Sequence, residues 1–333
     1  MKKKRIIAVH LLNDFSGSPF VLRQSIELLV RQVYTVDLLT ATPQGKGFLS
    51  DIPGVRLHAL PYRWSTNRWK TLLFYLWSQL HLFVSVSKMA GPEDLVYINS
   101  LLPFGAALAA KLRRAKLLYH IHEVSIQPAL LKRWLLWVAG HTASIGLFVS
   151  DDLRKRTAWQ KPAQVVYNAL PADFIQQAIL APKTGSNPFR VLMICSLKAY
   201  KGVWEFVQLA NRLPNMKFRL VLNATPAAID AFFQQHRLPP NLVLFPAQSD
   251  VHRFYADTDV VMNLSHPDGW IETFGMTILE AMYYRKPVIV PPVGGVLELV
   301  STHVEGYTIS PYDTDALCEA LRTMQACPSL YNR

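Results

Sequence analysis

Short apolar runs alternate with helical stretches along the first half of the chain. The runs predicted as strands lie at residues 6–12, 36–40, 55–60, 95–99, 117–121, 145–149 and 165–167. They are continuous rather than alternating in polarity, which is typical of strands buried on both faces. Strands of this kind with helices between them predict a parallel sheet covered by helices on both sides.

The same pattern restarts after a connection rich in proline, glycine and serine. Predicted strands follow at residues 191–197, 218–222, 242–245, 260–264 and 288–290, again separated by helices. We therefore predict an α/β protein of two Rossmann-like doubly wound domains. The N-terminal domain covers residues 1–170, a linker 171–189 and the C-terminal domain 190–333. Such sheets bind ligands at the carboxyl ends of their strands, so chemistry is expected just after the strands.

Length and composition fit two such domains. The chain has 333 residues, half of them hydrophobic, which is enough for two ordinary cores. Its three cysteines, Cys195, Cys318 and Cys327, lack CxxC spacing and pair with no histidine cluster. Neither a disulfide scaffold nor a zinc site is therefore indicated.

Positive charge is concentrated in the predicted N-terminal domain. Residues 1–170 carry 22 Lys and Arg against 9 Asp and Glu. Such a surface can face nucleic acid, anionic lipid or an acidic substrate, but no nucleic-acid-binding motif accompanies it. Tryptophans and cations are interleaved around the apolar stretch 71–89 and again at 132–137. Gln79 and His81 interrupt the first stretch, so we predict a buried or interfacial helix rather than a membrane span.

The segment after the predicted strand 260–264 carries the clearest chemical signal. It reads His-Pro-Asp-Gly-Trp-Ile-Glu-Thr-Phe-Gly-Met-Thr-Ile-Leu-Glu-Ala-Met over residues 266–282. At Gly275 a loop is expected to become a helix, with the amides of Phe274, Gly275 and Met276 free to bind an anion or a hydroxyl. Glu272 before the helix and Glu280 on it are carboxylates that can hold vicinal diols.

This segment resembles the E-x7-E signature of retaining glycosyltransferases of family 4. The resemblance continues through Pro-Val-Ile-Val at 287–290 and Gly-Gly-Val-Leu-Glu at 294–298. It implies the GT-B fold, in which two Rossmann-like domains face a central cleft. It also implies that Glu280 binds the donor ribose and that Glu272 contacts the transferred sugar. The amides near 274–276 would hold sugar hydroxyls or the diphosphate.

A second match is Ser-Leu-Lys-Ala-Tyr-Lys-Gly at 196–202. The family has Gly-Arg-Leu followed by Lys-Gly here, with both basic side chains on the diphosphate. Lys201 and Gly202 agree with this pattern, and the resemblance places Lys201 at the donor phosphates. Ser196 stands where the family has arginine, so Lys198 is the candidate replacement.

Two segments of the N-terminal domain fit the same family. Gly17, in Asp-Phe-Ser-Gly-Ser at 14–18, resembles the glycine loop near the donor phosphate, with a plain tight turn as the rival interpretation. His122, in Tyr-His-Ile-His-Glu at 119–123, resembles the strand-end histidine that reaches the donor sugar. A purely structural histidine is its alternative. By contrast, Asp-Thr-Asp at 257–259 matches a DxD metal signature, but its place between a helix and a strand predicts a helix-end turn.

The resemblance implies a retaining, metal-independent sugar transfer with His122, Glu272 and Lys201 as catalytic residues. The donor is expected to be a UDP- or GDP-type sugar used as substrate, with no separate cofactor. The expected acceptor is a saccharide or lipid-linked saccharide of cell-envelope or capsule synthesis. A further expected partner is an anionic membrane surface, and no nucleic acid is expected to bind. The expected location is the cytoplasm or the inner face of the cell membrane.

Two alternatives to transfer stay open. A nucleotide-sugar 2-epimerase shares the fold and the donor but needs no acceptor, and a non-catalytic glycosyltransferase-like partner is compatible with Ser196. A last crossover helix is expected to be short or absent after Pro328, so that the C-terminus could be truncated.

Overall fold

The computed structural model describes residues 4–43, 45–181 and 188–327. The chain divides into two compact units, residues 1–169 and 170–333, and each unit is built on one parallel sheet. The segment after Pro328, where a short or absent helix is expected, lies outside the described residues.

Within the described residues, the first unit contains seven strands and five helices. The strands are β1 (Arg5–Leu12), β2 (Thr35–Ala41), β3 (Val55–Ala59), β4 (Leu95–Asn99), β5 (Lys116–Ile121), β6 (Ile145–Phe148) and β7 (Ala163–Val165). The helices are α1 (Gly17–Arg31), α2 (Arg68–Met89), α3 (Phe104–Leu112), α4 (Ala129–Thr142) and α5 (Asp151–Arg156). The parallel sheet has the order β3-β2-β1-β4-β5-β6-β7. Because the order reverses between β1 and β4, the loops after these two strands flank a crevice-forming switch point.

The described part of the second unit repeats the scheme with six strands and six helices. The strands are β8 (Arg190–Ser196), β9 (Lys217–Asn223), β10 (Leu242–Phe245), β11 (Val260–Met262), β12 (Val288–Val290) and β13 (Gly306–Thr308). The helices are α6 (Ala172–Leu180), α7 (Val203–Arg212), α8 (Pro226–Phe233), α9 (His252–Ala256), α10 (Met276–Tyr283) and α11 (Thr314–Ala326). The order β10-β9-β8-β11-β12-β13 places the switch point between β8 and β11.

The apolar runs form the inner strands of both sheets, which confirms the prediction of two Rossmann-like α/β units. In β1, residues 6–9 are almost completely buried between β2 and β4. In β11, residues 260–262 are equally buried between β8 and β12. Helices cover both faces of such strands, so no face is left for polar alternation.

The segment that the sequence analysis treats as a linker contains a helix of the second unit. Helix α6 begins after Pro171, and its Ala178 is fully buried in that unit's core. Phe174 packs against the rings of Tyr255 and Tyr284. Proline suits a helix start, and Pro171, one of the residues that suggested a linker, directly precedes α6. Residues 182–187, the middle of the predicted linker, lie outside the described residues.

Helix α2 is apolar on the face that points to solvent. Its inner face buries two polar residues, Ser78 and Gln79, and Gln79 Oε1 accepts a hydrogen bond of 3.0 Å from the Gly105 amide of α3. The outer face carries large exposed side chains at helical spacing: Trp69, Leu72, Leu73, Leu76, Trp77, Leu80 and Val84. Among the described helices, none has the length and hydropathy needed to cross a membrane.

Candidate functional site

Lys201 and Glu272 meet at the switch point of the second sheet. Lys201 ends the single 3-10 turn after β8, and Glu272 lies in the loop between β11 and α10. Lys201 Nζ lies 3.0 Å from Glu272 Oε2, and the two side chains are only 14% and 19% exposed. Asn263, just after β11, donates to the same carboxylate oxygen at 3.4 Å. The structure thus brings two predicted site residues together at the carboxyl edge of the sheet, where ligands of such folds bind.

Two glycines allow the loops at this edge to approach each other. Gly202 has φ 77°, and a Cβ there would lie 2.3 Å from the carbonyl oxygen of Leu264. Gly294 has φ 100°, and a Cβ there would lie 2.4 Å from the carbonyl oxygen of Glu272. Any larger residue would have to displace backbone. Both members of the ion pair are therefore held by close backbone contacts beside them.

Trp270 covers the Lys201 ammonium. The Lys201 Nζ atom lies 4.8 Å from the centroid of the indole ring, and Tyr200 stacks on that ring at 6.1 Å. A cation on an aromatic face gains about 0.5–1 kcal/mol and loses freedom of movement. Sequence reasoning missed Trp270, although an aromatic two residues before a candidate carboxylate was the available signal.

Glu280 is partly buried on α10 and bonded to a tyrosine. Tyr255 Oη donates to Glu280 Oε2 at 2.5 Å, and Tyr255 itself is fully buried. Burial raises the pKa of Glu280 to about 7, although the hydrogen bond from Tyr255 opposes the shift. The carboxyl group therefore titrates near neutral pH, and its negative charge is carried at a cost to folding. Tyr255 is a second residue that the sequence analysis missed.

We expect Glu280→Gln to remove a pH-dependent loss of stability. The folded pKa of about 7 lies above the ordinary value of 4.5, so the folded state binds more protons between these two values. The stabilising protonated form is fully present below pH 4.5 and is lost as pH rises through 7. In thermal unfolding from pH 5 to 8, the free energy of unfolding of the variant, relative to that of the wild type, should rise by about 2–3 kcal/mol towards the alkaline end. Parallel curves for both proteins would contradict the assigned burial of this charge.

Helix α10 begins where the sequence predicts a loop-to-helix transition. Gly275 precedes the helix at φ 97°, and no side chain caps the helix start. The Gly275 carbonyl accepts from the amides of Ile278 and Leu279. The first amides of an uncapped helix lack intrahelical partners, which fits the hydroxyl or phosphate site predicted at Gly275 and Met276. The side chain of Phe274 is buried.

The two other predicted phosphate ligands are less closely tied to the ion pair. Ser196 is the last residue of β8, and its carbonyl accepts from the Lys198 amide at 2.8 Å. Lys198 is exposed, and within the described part of the chain its side chain makes no hydrogen bond or ion pair. The replacement of the family's arginine by Lys198 therefore stays a prediction.

In the first unit, His122 lies in a buried polar cluster at the end of β5. Its Nε2 atom is 2.8 Å from Asn99 Oδ1, and its ring centroid is 4.1 Å from that of His120. Burial lowers the pKa of His120 to about 4 and that of His122 well below its ordinary value. Glu123 accepts from the Leu101 amide at 2.7 Å, and burial raises its pKa. The cluster therefore favours neutral side chains.

Gly17 is the first residue of α1, directly after β1 and its loop. A Cβ at Gly17 would meet no atom within 4 Å, so local packing does not require glycine. Asp14 accepts from the Ser16 amide at 2.9 Å and shapes the turn. The role of Gly17 at a donor phosphate stays a prediction.

The DxD-like sequence is a helix-end turn, as predicted. Asp257 follows α9 and pairs with Arg190 and with Arg219, the latter at 2.9 Å. Asp259 accepts from the Arg190 amide at 2.7 Å. These carboxylates tie together the amino ends of β8 and β11, at the edge opposite the ion pair.

Comparison with known proteins agrees with this fold. The model of a "Glycosyl transferase 4-like domain" matches residues 16–169, and that of "Glycosyl transferases group 1" matches residues 177–333. Sucrose-phosphate synthase of Spinacia oleracea is 28% identical over 86 residues, which are 26% of this chain and 8% of that protein. A protein of Klebsiella pneumoniae, described as an uncharacterized 42.6 kDa protein in the cps region, is 22% identical over 310 residues, 82% of this chain and 80% of that protein.

The fold of the whole chain is also found in a solved structure. HepE of Anabaena, crystallised in complex with UDP and glucose, aligns with a TM-score of 0.77 at 19% identity, over 98% of this chain and 91% of HepE. The two domain models together cover nearly all of the chain, and both units have the parallel Rossmann-like sheets of that fold. The chain therefore belongs to the glycosyltransferases with the GT-B fold.

Proposed function

We propose that the chain transfers a sugar from a nucleotide-diphosphate donor to a saccharide or lipid-linked acceptor, with retention of anomeric configuration and without a metal ion. The observation that carries the proposal is the Lys201–Glu272 ion pair at the switch point of the second sheet, with Glu280 on the helix that follows. A cation for the phosphates and two carboxylates for hydroxyl groups are the parts that such a donor requires.

The reaction can be balanced without a protein nucleophile. The acceptor hydroxyl attacks the anomeric carbon on the face from which the diphosphate leaves. The bond from that carbon to the phosphate oxygen breaks, and the electron pair leaves with the nucleoside diphosphate. The departing phosphate oxygen takes the proton of the acceptor hydroxyl. Lys201 and the start of α10 stabilise the charge that develops on the leaving group.

The remaining residues position the donor. Glu280 accepts hydrogen bonds from the ribose hydroxyls, and Glu272 from the transferred sugar while it holds Lys201 in place. The role of His122 at the donor sugar stays a prediction. UDP is the first nucleotide to test, because HepE was crystallised with UDP and with UDP-glucose.

Two measurements test the proposal. Thermal-shift assays with UDP, GDP, ADP and dTDP compounds should reveal stabilisation by one base, since a ligand that binds only the folded state stabilises it. Failure of all four would instead support a non-catalytic partner. Incubation with the stabilising sugar nucleotide should release nucleoside diphosphate, and NMR of the product should show the donor's anomeric configuration. An epimerised donor without release would identify a 2-epimerase.

The acceptor side of the proposal includes an anionic membrane surface. The outer face of α2 presents Trp69 at 76% and Trp77 at 58% exposure, and Trp134 and Trp137 of α4 are exposed as well. Residues 52–92 contain no Asp or Glu, and Lys132 and Arg133 flank the α4 tryptophans. An apolar face bordered by cations fits the interface of an anionic bilayer. The similarity to a protein of the cps region supports an envelope or capsule saccharide as acceptor.

We expect the double variant Trp69→Gln/Trp77→Gln to lose membrane binding. In flotation with anionic liposomes, wild-type binding should weaken as salt rises, because surface charges are screened. The variant should bind about tenfold less, since two tryptophans no longer enter the interface. Val243→Gln/Val304→Gln, which changes exposed apolar residues of the second unit, is the matched control. Equal flotation of both doubles would remove the membrane from the proposal, and a wild-type dimer that dissociates in the tryptophan variant would identify a second copy as the occupant.

A further inference from the structure

Asn99 joins two predicted site features of the first unit that are distant in sequence. It is the last residue of β4 and is completely buried. Its Nδ2 atom donates to the Ser18 carbonyl at 3.1 Å, next to Gly17 at the start of α1. Its Oδ1 atom lies 2.8 Å from His122 Nε2. One amide therefore bridges the turn after β1 and the histidine after β5.

The Ser18 carbonyl determines which way the amide of Asn99 is oriented. A carbonyl oxygen can only accept a hydrogen bond, so the group that faces it must be the NH2 of the amide. The amide oxygen then faces His122, and it too can only accept. His122 Nε2 must therefore carry a proton, and in the neutral ring the lone pair is on Nδ1.

We propose that Asn99 is a positioning residue that fixes the ring of His122 and keeps its proton on Nε2, so that Nδ1 is the acceptor nitrogen. In this tautomer Nδ1 can accept a hydrogen bond but cannot donate one. Only the benefit to catalysis rests on the proposed function. The tautomer and its dependence on Asn99 follow from the first unit alone.

The groups around His122 keep its ring neutral. His10 on β1 has its Nδ1 atom 2.9 Å from the Asn99 carbonyl, and the His120 ring on β5 is in contact with that of His122. Burial and these two histidines lower the pKa of His122. Tyr97 bonds to His120 at 2.7 Å, and Glu123 bonds to the Leu101 amide. The negative charge of Asp14, in the loop after β1, partly offsets the lowering of the His10 pKa by burial.

The wild-type protein provides the first test. Long-range 1H–15N NMR of protein labelled in histidine distinguishes the two neutral tautomers, and the His122→Gln spectrum identifies the signal of His122. We expect a neutral ring with the proton on Nε2 from pH 6 to 8. A proton on Nδ1, or an imidazolium in this range, would overturn the proposal without the need for any Asn99 variant.

Variants of Asn99 provide the second test. Asn99→Asp keeps an acceptor for Nε2 but adds a negative charge, so the pKa of His122 should rise by at least one unit. Asn99→Ala should leave the pKa of His122 low, but the Nε2 proton should lose its hydrogen-bond acceptor. Asn241→Ala, which removes a side chain bonded to three carbonyls in the second unit, is the structural control and should change neither signal. An unchanged His122 titration in Asn99→Asp would contradict the assignment.

Activity separates this inference from the proposed function. If sugar transfer is confirmed, Asn99→Ala should lower kcat by about 10- to 100-fold with little change in the donor KM, because a misplaced contact costs rate more than binding. Asn99→Asp should also move the pH profile of kcat/KM, which Asn241→Ala should not. If no transfer is found, the NMR experiment still tests the tautomer of His122, because it does not depend on activity.

Discussion

Lys201→Ala is expected to lower kcat by about 100- to 1,000-fold. The Lys201 ammonium at the carboxyl end of β8 is the cation that we propose for the diphosphate, and removing one donor that stabilises developing charge typically costs this much. The change also leaves Glu272 without its partner at 3.0 Å, so a second negative charge would face the leaving group. Release of nucleoside diphosphate under saturating donor is the measurement.

Two other lysines make this result interpretable. Lys217→Ala removes an exposed lysine at the amino end of β9, at the opposite edge of the same sheet, and should leave kcat unchanged. Lys198→Ala decides whether this residue replaces the family's arginine, since a loss of tenfold or more would place it on the phosphates. Full activity of Lys201→Ala alongside a folded control would refute the assigned donor site.

Gly294→Ala is expected to reduce both stability and activity. The backbone at Gly294 has φ 100°, and the new Cβ would lie 2.4 Å from the Glu272 carbonyl oxygen. That oxygen also accepts from the Gly295 amide at 2.9 Å, so the loop cannot retreat without losing this bond. We expect a loss of about 2–3 kcal/mol in the free energy of unfolding and a fall of about 100-fold in kcat/KM through the displaced Glu272.

Chemical denaturation together with steady-state kinetics measures the two effects of Gly294→Ala. Gly140→Ala in α4 is the matched substitution, because its Cβ meets no atom within 4 Å. Alanine in a helix should raise stability by about 0.5–1 kcal/mol there. Wild-type stability and activity in Gly294→Ala would mean that the loop carrying Glu272 is not held by this contact.

The sequence predicted the fold well because the physical signal was strong and local. Continuous apolar strands between helices are readable one segment at a time, and they gave all strands of both sheets except the short edge strand β13. The same holds for the helix start at Gly275 and the turn at 257–259, where local backbone chemistry determines the outcome. The segment 171–189 was harder, since its prolines suggested a linker while α6 is stabilised by Phe174 and Ala178, whose partners lie far away in the sequence.

The candidate site was only partly predictable for the same reason. Glu272, Glu280 and Lys201 are recognised by motif, but their environment depends on contacts between distant segments. Tyr255 reaches Glu280 across 25 positions, and Asn99 reaches His122 across 23. No local pattern indicates that a tyrosine of α9 will donate a hydrogen bond to a carboxylate on α10 and so lower its pKa. Trp270 was within the motif, yet its position over Lys201 depends on the turn after β8.

The two faces of α2 are under different selective constraints. Tyr75 and Leu82 are buried and contribute to folding, so substitutions there are limited by the free energy of unfolding. Leu73 and Leu80 are more than half exposed. Mutational drift would replace such leucines by polar residues at little cost to the fold. Where relatives keep these positions apolar, selection acts on a contact with something outside the folded chain and not on folding.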